Sequence, residues 1–215
     1  MNACLYVGYH DNEWIWDILP GKSPAELPIA GKSWARHAVD LCSLLKTEDI
    51  FIADCFFYPG LEKRLGDGAY WSTRLHYLPS ANALNPRQLI VQHGETIPPD
   101  ELLVFWGQVL PDLPDIRMLF DDLQPVEEPE NEPLPDGLYL LRGGKLRKCG
   151  CPLLRMDSPK RYFDLNLKIL THPGIYNLPG FSPDMNFGIG QNVITMPGTR
   201  LTPPQSVEKV FTPLM

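Results

Sequence analysis

Long apolar runs are absent from this 215-residue sequence. Its longest apolar stretches, such as Leu102 to Trp106, are short, whereas a membrane-spanning helix needs about 18 or more apolar residues in a row. The first residues also lack the basic segment with which a signal peptide begins. We therefore expect a cytoplasmic protein that is not inserted in a membrane.

Positive charge is scarce. The chain has 19 Lys and Arg residues against 26 Asp and Glu, which gives a formal net charge of -7. Its densest basic run, Lys145 to Lys148, is too short to release many counterions from a phosphate backbone. The composition therefore excludes a general nucleic-acid-binding protein.

Cysteine is infrequent and scattered, and the number of cysteines, 5, is odd. This usage fits a reducing compartment in which thiols stay free. Cys149 and Cys151 form the one close pair, and they supply two ligands where zinc needs four. We predict neither a disulfide framework nor a metal site. A chain of this length with 44% apolar residues buries an adequate core without such cross-links.

What the sequence does contain is an alternation of strand and helix patterns, divided by 23 prolines and 17 glycines. Short apolar runs predict strands, and amphipathic runs behind capping residues predict helices. The order indicates an α/β fold with a mostly parallel sheet flanked by helices, whose ligands bind beyond the carboxyl ends of the strands. The predicted strands are 3–7, 50–53, 74–77 and 102–106, and the predicted helices are 33–45 and 59–65.

The second half of the sequence interrupts this alternation. Residues 124–135 are acidic and rich in proline, which predicts an exposed loop or linker without an apolar face. A β-hairpin is expected at 138–147, because Gly143 and Gly144 can adopt the positive φ angles of a tight turn. Ser158 and Pro159 then open a predicted helix that runs to about Leu170.

The last forty or so residues have a different pattern. Apolar or β-branched residues recur every six positions at Ile189, Thr195, Leu201 and Val207, which predicts one or two rungs of a parallel β-helix. An irregular proline-rich tail is the alternative. We divide the chain into an α/β domain, 1–172, and a β-helix-like stub, 173–215. So short a stub must pack on the main domain or on another subunit.

Several segments resemble the sugar-1-phosphate nucleotidyltransferases, in the same order along nearly the whole chain. The segments are Leu19 to Ser33 (LPGKSPAELPIAGKS), Gly66 to Tyr77, Leu102 to Leu110 (LLVFWGQVL) and Ser158 to Asn166 (SPKRYFDLN). The resemblance implies a nucleotidyltransferase-like α/β fold followed by a left-handed β-helix built on hexapeptide repeats. It also implies a place in sugar-nucleotide or surface-polysaccharide metabolism.

The departures from this family all remove groups that would hold polyphosphate. Where active members carry a glycine-rich loop with an arginine, the chain reads Gly8 to Asp17 (GYHDNEWIWD), with acids and tryptophans instead. The family's lysine falls at Ala25. Its Mg²⁺-binding aspartate falls at Gln108, whose neutral amide is a poor ligand for a hard divalent cation. We therefore predict a pseudoenzyme that acts as a binding, regulatory or scaffold subunit and holds no cofactor.

Three further predictions concern partners and sites. The stub would join the chain to a second copy or to a catalytic relative. One alternative is a divergent active enzyme that uses Mg²⁺ with Asp112, Asp115 and Arg200, the last from a displaced Gly-Thr-Arg-Leu sequence. Another is a sensor that holds a nucleotide or a sugar. The expected ligand-binding residues are Gly8, Tyr9, Trp14, Gly107 and Gln108, although Tyr9, Trp14 and Trp16 could instead fill the volume of a lost substrate.

Overall fold

The computed structural model describes residues 1–8, 13–55, 59–79, 83–98, 100–127, 132–171 and 174–176. The strands are β1 Asn2–Val7, β2 Pro28–Ile29, β3 Lys32–Ser33, β4 Asp49–Asp54, β5 Arg74–Pro79, β6 Glu101–Trp106, β7 Val109–Pro111, β8 Leu123–Pro125, β9 Gly137–Arg142, β10 Lys145–Cys149 and β11 Leu153–Arg155. The helices are α1 Glu13–Ile18, α2 Trp34–Leu44, α3 Pro59–Leu65, α4 Pro86–His93 and α5 Pro159–Thr171. Short 3-10 helices cover Pro24–Glu26, Ala69–Trp71 and Ile116–Phe120.

A central sheet of seven strands has the order β5-β4-β1-β6-β9-β10-β8. Strands β5, β4, β1 and β6 run parallel to one another. The β9–β10 hairpin and the edge strand β8 continue the sheet with antiparallel pairing. Two small antiparallel pairs, β2–β3 and β7–β11, lie outside it. The predicted α/β class, with parallel strands flanked by helices, is confirmed.

Both faces of the parallel strands are buried. Along β1, Ala3, Leu5 and Val7 pack into one core with residues of α2 and α5, whereas Cys4 and Tyr6 pack into a second core that includes Leu89 of α4. Each of these β1 side chains is fully buried. A parallel strand covered on both faces shows a continuous apolar run rather than an alternating one, which is the pattern at the start of the sequence.

Capping and turn residues fix the ends of the predicted elements. The hydroxyl of Ser33 accepts a hydrogen bond from the backbone N–H of Arg36 and so caps α2. Gly143 and Gly144 have φ angles of 55° and 72°, and they join β9 to β10 as predicted. Helix α5 begins at Pro159 and ends one residue beyond the predicted boundary.

The acidic proline-rich segment is not wholly an exposed linker, and that prediction was wrong at its two ends. Its first residues belong to β8, where Pro125 pairs with Arg147 of β10. Near its other end, Leu134 is 6% exposed and packs in the second core, and Val126 packs against the same core. Two isolated apolar side chains therefore anchor a stretch whose average composition is polar.

Residues 173–215, on which the β-helix prediction rests, lie outside the described residues except for 174–176. Within the described part, no helix combines the length and apolar character needed to cross a membrane. All five cysteines are free thiols.

Candidate functional site

The order of the strands reverses at the centre of the sheet. From β1 the chain passes outward to β4 and then β5, and it returns to place β6 on the other side of β1. At such a switch point the adjacent connections leave in opposite directions, which opens a crevice beyond the carboxyl ends of the two strands. Here those ends are Val7–Gly8 and Trp106–Gly107. We call this place the switch-point crevice.

Two aromatic rings fill one side of the switch-point crevice. The rings of Tyr6 and Trp106 stack with their centroids 4.0 Å apart and a 12° angle between the planes. The Tyr6 hydroxyl accepts a hydrogen bond from the N–H of Ala83 at 2.7 Å and donates one to the Ala83 carbonyl at 3.0 Å. The Trp106 indole donates to the carbonyl of Leu134 at 3.2 Å. These bonds hold both rings rigidly at the carboxyl ends of the strands.

Two glycines at the crevice are in tight surroundings. A Cβ atom at Gly8 would lie 2.6 Å from Cε1 of Tyr6, so the missing side chain makes room for that ring. Gly107 has a φ angle of +76°, and a Cβ atom there would overlap the carboxylate of Asp136. The predicted ligand-binding residues Gly8 and Gly107 therefore lie on neighbouring strand ends, as expected. Their backbones are covered by protein side chains on the sides where a Cβ would point.

A cation lies beside the same turn. Gly107 and Gln108 connect β6 to β7, and the next residue, Val109, is paired with Arg155 of β11. The Arg155 guanidinium donates a hydrogen bond from Nη1 to the carbonyl of Asp136 at 3.1 Å. Since arginine stays protonated in proteins, this places a fixed positive charge at the edge of the crevice.

These residues do not fit a magnesium ion. Gln108 is 3% exposed and offers a neutral amide, whereas Mg²⁺ favours carboxylate ligands. The one carboxylate described at this turn, that of Asp136, lies close to Arg155, whose guanidinium bonds to the Asp136 carbonyl. Within the described ranges, no group of three or more His, Cys, Asp or Glu side chains could hold a metal ion.

The two aspartates of the active-enzyme alternative form ion pairs with other side chains. Asp112 forms an ion pair with Lys168 of α5. Asp115 caps the 3-10 helix that follows β7 and forms an ion pair with Arg117. The hydrogen bonds from Arg117 lower the pKa of Asp115 to about 2. Arg200 lies outside the described residues.

Of the aromatic residues predicted to bind a ligand, the structure describes Trp14 but not Tyr9. Trp14 packs against the first core, and its ring lies 5.5 Å from that of Tyr162 on α5. This contact agrees with the space-filling interpretation of Trp14. Tyr9 lies outside the described residues.

The segment that matches the family's phosphate-binding lysine is buried. Ala25 is fully buried, and its backbone N–H is bound by the Ser23 hydroxyl at 3.1 Å. The neighbouring carboxylate of Glu26, also buried, pairs with Arg64 of α3 at 2.8 Å. In the described structure, the charged side chains at this place are therefore the ion pair of Glu26 and Arg64 rather than a free cation.

A second concave feature, the β11–α5 groove, lies between strand β11 and helix α5. It has a volume of about 370 Å³. Its walls are formed by Leu153–Arg155 and by Arg161, Asp164, Leu165 and Lys168. Arg155 thus lines this groove and also borders the switch-point crevice.

Comparisons with known proteins give structural matches only. No family model matches the sequence, and no curated protein matches it. The structure of HddC from Yersinia pseudotuberculosis is similar with a TM-score of 0.51 and 10% identity, over 79% of this chain and 100% of that one. Its complex with GMP-PN gives a TM-score of 0.48 and 11% identity, over 78% and 99% of the two chains. A Bacillus anthracis protein, provisionally named a glucose-1-phosphate thymidylyltransferase and complexed with a sucrose, gives a TM-score of 0.47 and 14% identity, over 71% and 70%.

At these identities the likeness to HddC shows a shared fold and nothing further. The predicted α/β architecture therefore has a counterpart among solved structures. Sequence reasoning did not identify the stacked Tyr6 and Trp106, nor Asp136 and Arg155. Asp136 and Arg155 both lie in stretches for which the sequence predicts no element, and no local motif marks either one.

Proposed function

We propose that this chain is a nucleotidyltransferase-like protein without turnover that acts as a binding or regulatory subunit in sugar-nucleotide or surface-polysaccharide metabolism. The observation that carries the proposal is the turn after β6, where the neutral amide of Gln108 is buried and no described group of three or more His, Cys, Asp or Glu side chains could hold a metal ion. The structural likeness to HddC and the family resemblance of the sequence support the choice of pathway.

The ligands that the crevice offers argue against metal-assisted phosphoryl transfer. Gln108 supplies a buried neutral amide where Mg²⁺ favours carboxylates, and within the described residues no group of three or more His, Cys, Asp or Glu side chains could hold a metal ion. A metal ion stabilises the transition state of such a reaction by several kcal/mol. Without that contribution we expect no turnover.

The aromatic pair supports the same conclusion by volume. Tyr6 and Trp106 are fully buried, and their polar atoms are bonded to Ala83 and Leu134. A ligand that entered between them would break the stacking contact and these hydrogen bonds. Binding must therefore use the rim of the crevice or a neighbouring surface.

A turnover assay and a binding assay test this proposal together. We expect no pyrophosphate release from nucleoside triphosphates, sugar 1-phosphates and Mg²⁺, under conditions in which an active nucleotidyltransferase gives a clear signal. Thermal-shift measurements with nucleotides and nucleotide sugars should show stabilisation that does not depend on Mg²⁺. A ligand present at a hundred times its dissociation constant adds about 2.7 kcal/mol.

The outcomes separate the candidate functions. Pyrophosphate release, or stabilisation that requires Mg²⁺, would refute the proposal and favour the active enzyme. Stabilisation without turnover supports a ligand-binding regulator. If no small molecule stabilises the protein, pull-down experiments decide. Association with a second copy or with a catalytic nucleotidyltransferase would indicate a scaffold subunit, and no association would indicate a chain with no role in this metabolism.

A further inference from the structure

We propose that an apolar surface on helix α5 is the docking site of the part of this chain that follows Tyr176, residues 177–215. Two large side chains form this surface, Phe163, which is 65% exposed, and Leu167, which is 44% exposed. They lie four residues apart and are therefore neighbours on the helix. We call the surface the α5 outer face. Its docking is independent of any ligand and so does not rest on the proposed function.

The α5 outer face points away from the core. Leu165 and Ile169 are 3% and 1% exposed, and they pack α5 onto the first core. Phe163 and Leu167 each lie two residues from Leu165, which places them about 160° away around the helix axis. A helix at a protein surface normally carries polar residues on that side. Helix α5 therefore has apolar side chains on two opposite sides.

This pairing of exposed apolar residues is unusual for the molecule. The other large exposed apolar side chains of the described residues lie on five separate elements: Ile18, Leu44, Tyr70, Val91 and Met118. No other described helix or strand exposes two of them. Scattered residues of this kind are normal on a protein surface, whereas adjacent ones mark a contact.

The chain that leaves α5 returns to the body of the protein close to this helix. Gly174 has a positive φ angle of 52°, and Tyr176 is buried in the first core. The Tyr176 hydroxyl donates a hydrogen bond to the carbonyl of Pro111. The next residue, Asp112, forms an ion pair with Lys168 of α5. Tyr176 therefore fixes the start of the remaining segment beside the last turns of α5.

The remaining segment is long enough to cover the α5 outer face. The 13 residues of α5 span about 20 Å. Six extended residues cover about the same distance. Side chains from about Phe181 onward can therefore reach either Phe163 or Leu167.

The sequence of the segment suits an apolar surface. Residues 177–215 contain four charged side chains, two of each sign. The first apolar side chains after Tyr176 are Leu178, Phe181, Met185, Phe187 and Ile189. Covering the α5 outer face would remove apolar area from water on both partners, which is favourable in proportion to the area.

The size of the face favours the chain's own segment over a second copy. Phe163 and Leu167 together expose about 200 Å², since a large aromatic side chain has roughly 150–250 Å² of surface. Two copies paired through these residues would bury roughly 400 Å², whereas a stable dimer needs about 1,200 Å² or more. A tethered segment binds through a smaller area, because its effective concentration is on the order of millimolar.

Thermal denaturation of the full chain, comparing Leu167→Ser with Leu44→Ser, tests the docking. Leu44 ends α2 and is 58% exposed, so it is a matched control with no proposed cover. Leu167→Ser should lower the melting temperature by about 3–6 °C, because it removes an apolar contact with the segment. Leu44→Ser should lower it by less than about 2 °C, as expected of a surface substitution. Equally small shifts would overturn the docking.

Substitutions in the segment identify the occupant. In a chain that carries Phe181→Ser and Phe187→Ser, the added effect of Leu167→Ser should fall to less than about half of its effect in the wild type, because the contact is already weakened. The added effect of Leu44→Ser should be unchanged. Additive shifts for Leu167→Ser would overturn the assignment to this segment. A melting temperature that rises with protein concentration would assign the face to a second copy and overturn it as well.

Thiol labelling of the native full chain gives a measurement that does not depend on melting. Leu167→Cys should react with a polar maleimide at least about tenfold more slowly than Leu44→Cys, because the docked segment must open before the reagent enters. Mass spectrometry of the digested protein separates these sites from the five natural free thiols. Equal labelling rates would overturn the proposal.

Discussion

Replacing Gly107 by alanine tests the geometry of the switch-point crevice most directly. The residue has a φ angle of +76°, and a Cβ atom there would overlap the Asp136 carboxylate. The hairpin residue Gly143 supplies a matched control. It also has a positive φ angle, 55°, but a Cβ atom there meets nothing within 4 Å.

The two substitutions share one cost and differ in another. An alanine in the left-handed region costs about 1–2 kcal/mol, and the lower entropy of the unfolded alanine chain offsets part of this. We expect Gly143→Ala to destabilise the protein by about 1 kcal/mol. At Gly107 the displacement of Asp136 adds an overpacking penalty of about 1–3 kcal/mol, because the Asp136 carbonyl also holds Arg155. The expected total for Gly107→Ala is about 3 kcal/mol.

Urea denaturation followed by tryptophan fluorescence measures both values. Thermal denaturation gives a second readout. A difference of about 2 kcal/mol in the free energy of unfolding should place the melting temperature of Gly107→Ala roughly 4–8 °C below that of Gly143→Ala in a domain of this size. If the two variants were equally stable, Asp136 would not be packed against the turn. The positioning of Arg155 through its hydrogen bond to the Asp136 carbonyl would then lose its support.

Further predictions concern the aromatic pair and a buried histidine. Tyr6→Phe should destabilise the protein by about 2 kcal/mol, because it leaves the backbone groups of Ala83 unpaired. Tyr77→Phe should cost less than about 1 kcal/mol, because the hydrogen bond from its hydroxyl to Gly66 is exposed. Chemical denaturation compares the two variants. Burial lowers the pKa of His37 to about 4, so the free energy of unfolding should fall by roughly 3 kcal/mol as the pH drops from about 6.5 to 4. Denaturation at a series of pH values should show that His37→Gln removes this slope. A variant with the same slope as the wild type would contradict the assignment.

The elements that could be predicted are those whose signals are local. The apolar run of β1, the cap of α2 at Ser33, the Gly143–Gly144 turn and the start of α5 at Pro159 each depend on a few adjacent residues. Helix α4 carries a comparable signal, an Asn85 cap followed by Pro86, although the sequence interpretation did not use it. Among the described residues, the short strands β7 and β11 pair with each other alone, and no periodicity marks them.

The positions of three predicted residues in the sheet follow from the sequence, whereas the residues around them do not, and ligand binding at this place stays a prediction. Gly8, Gly107 and Gln108 lie at the carboxyl ends of the central strands because the strand–helix alternation specifies a parallel sheet. What surrounds them depends on contacts distant in sequence. Tyr6 bonds to Ala83, Trp106 bonds to Leu134, and Arg155 bonds to Asp136. Such pairs carry no spacing rule, since each depends on where the whole chain folds.

Arg155 joins the β11–α5 groove to the turn after β6. It lines the groove, and its guanidinium donates a hydrogen bond to the carbonyl of Asp136, whose carboxylate lies where a Cβ of Gly107 would point. A carboxylate at position 155 could not donate this bond, and it would repel the carboxylate of Asp136. Arg155→Asp should therefore destabilise the protein by about 1–3 kcal/mol in urea denaturation, and unchanged stability would show that this contact does not hold the turn.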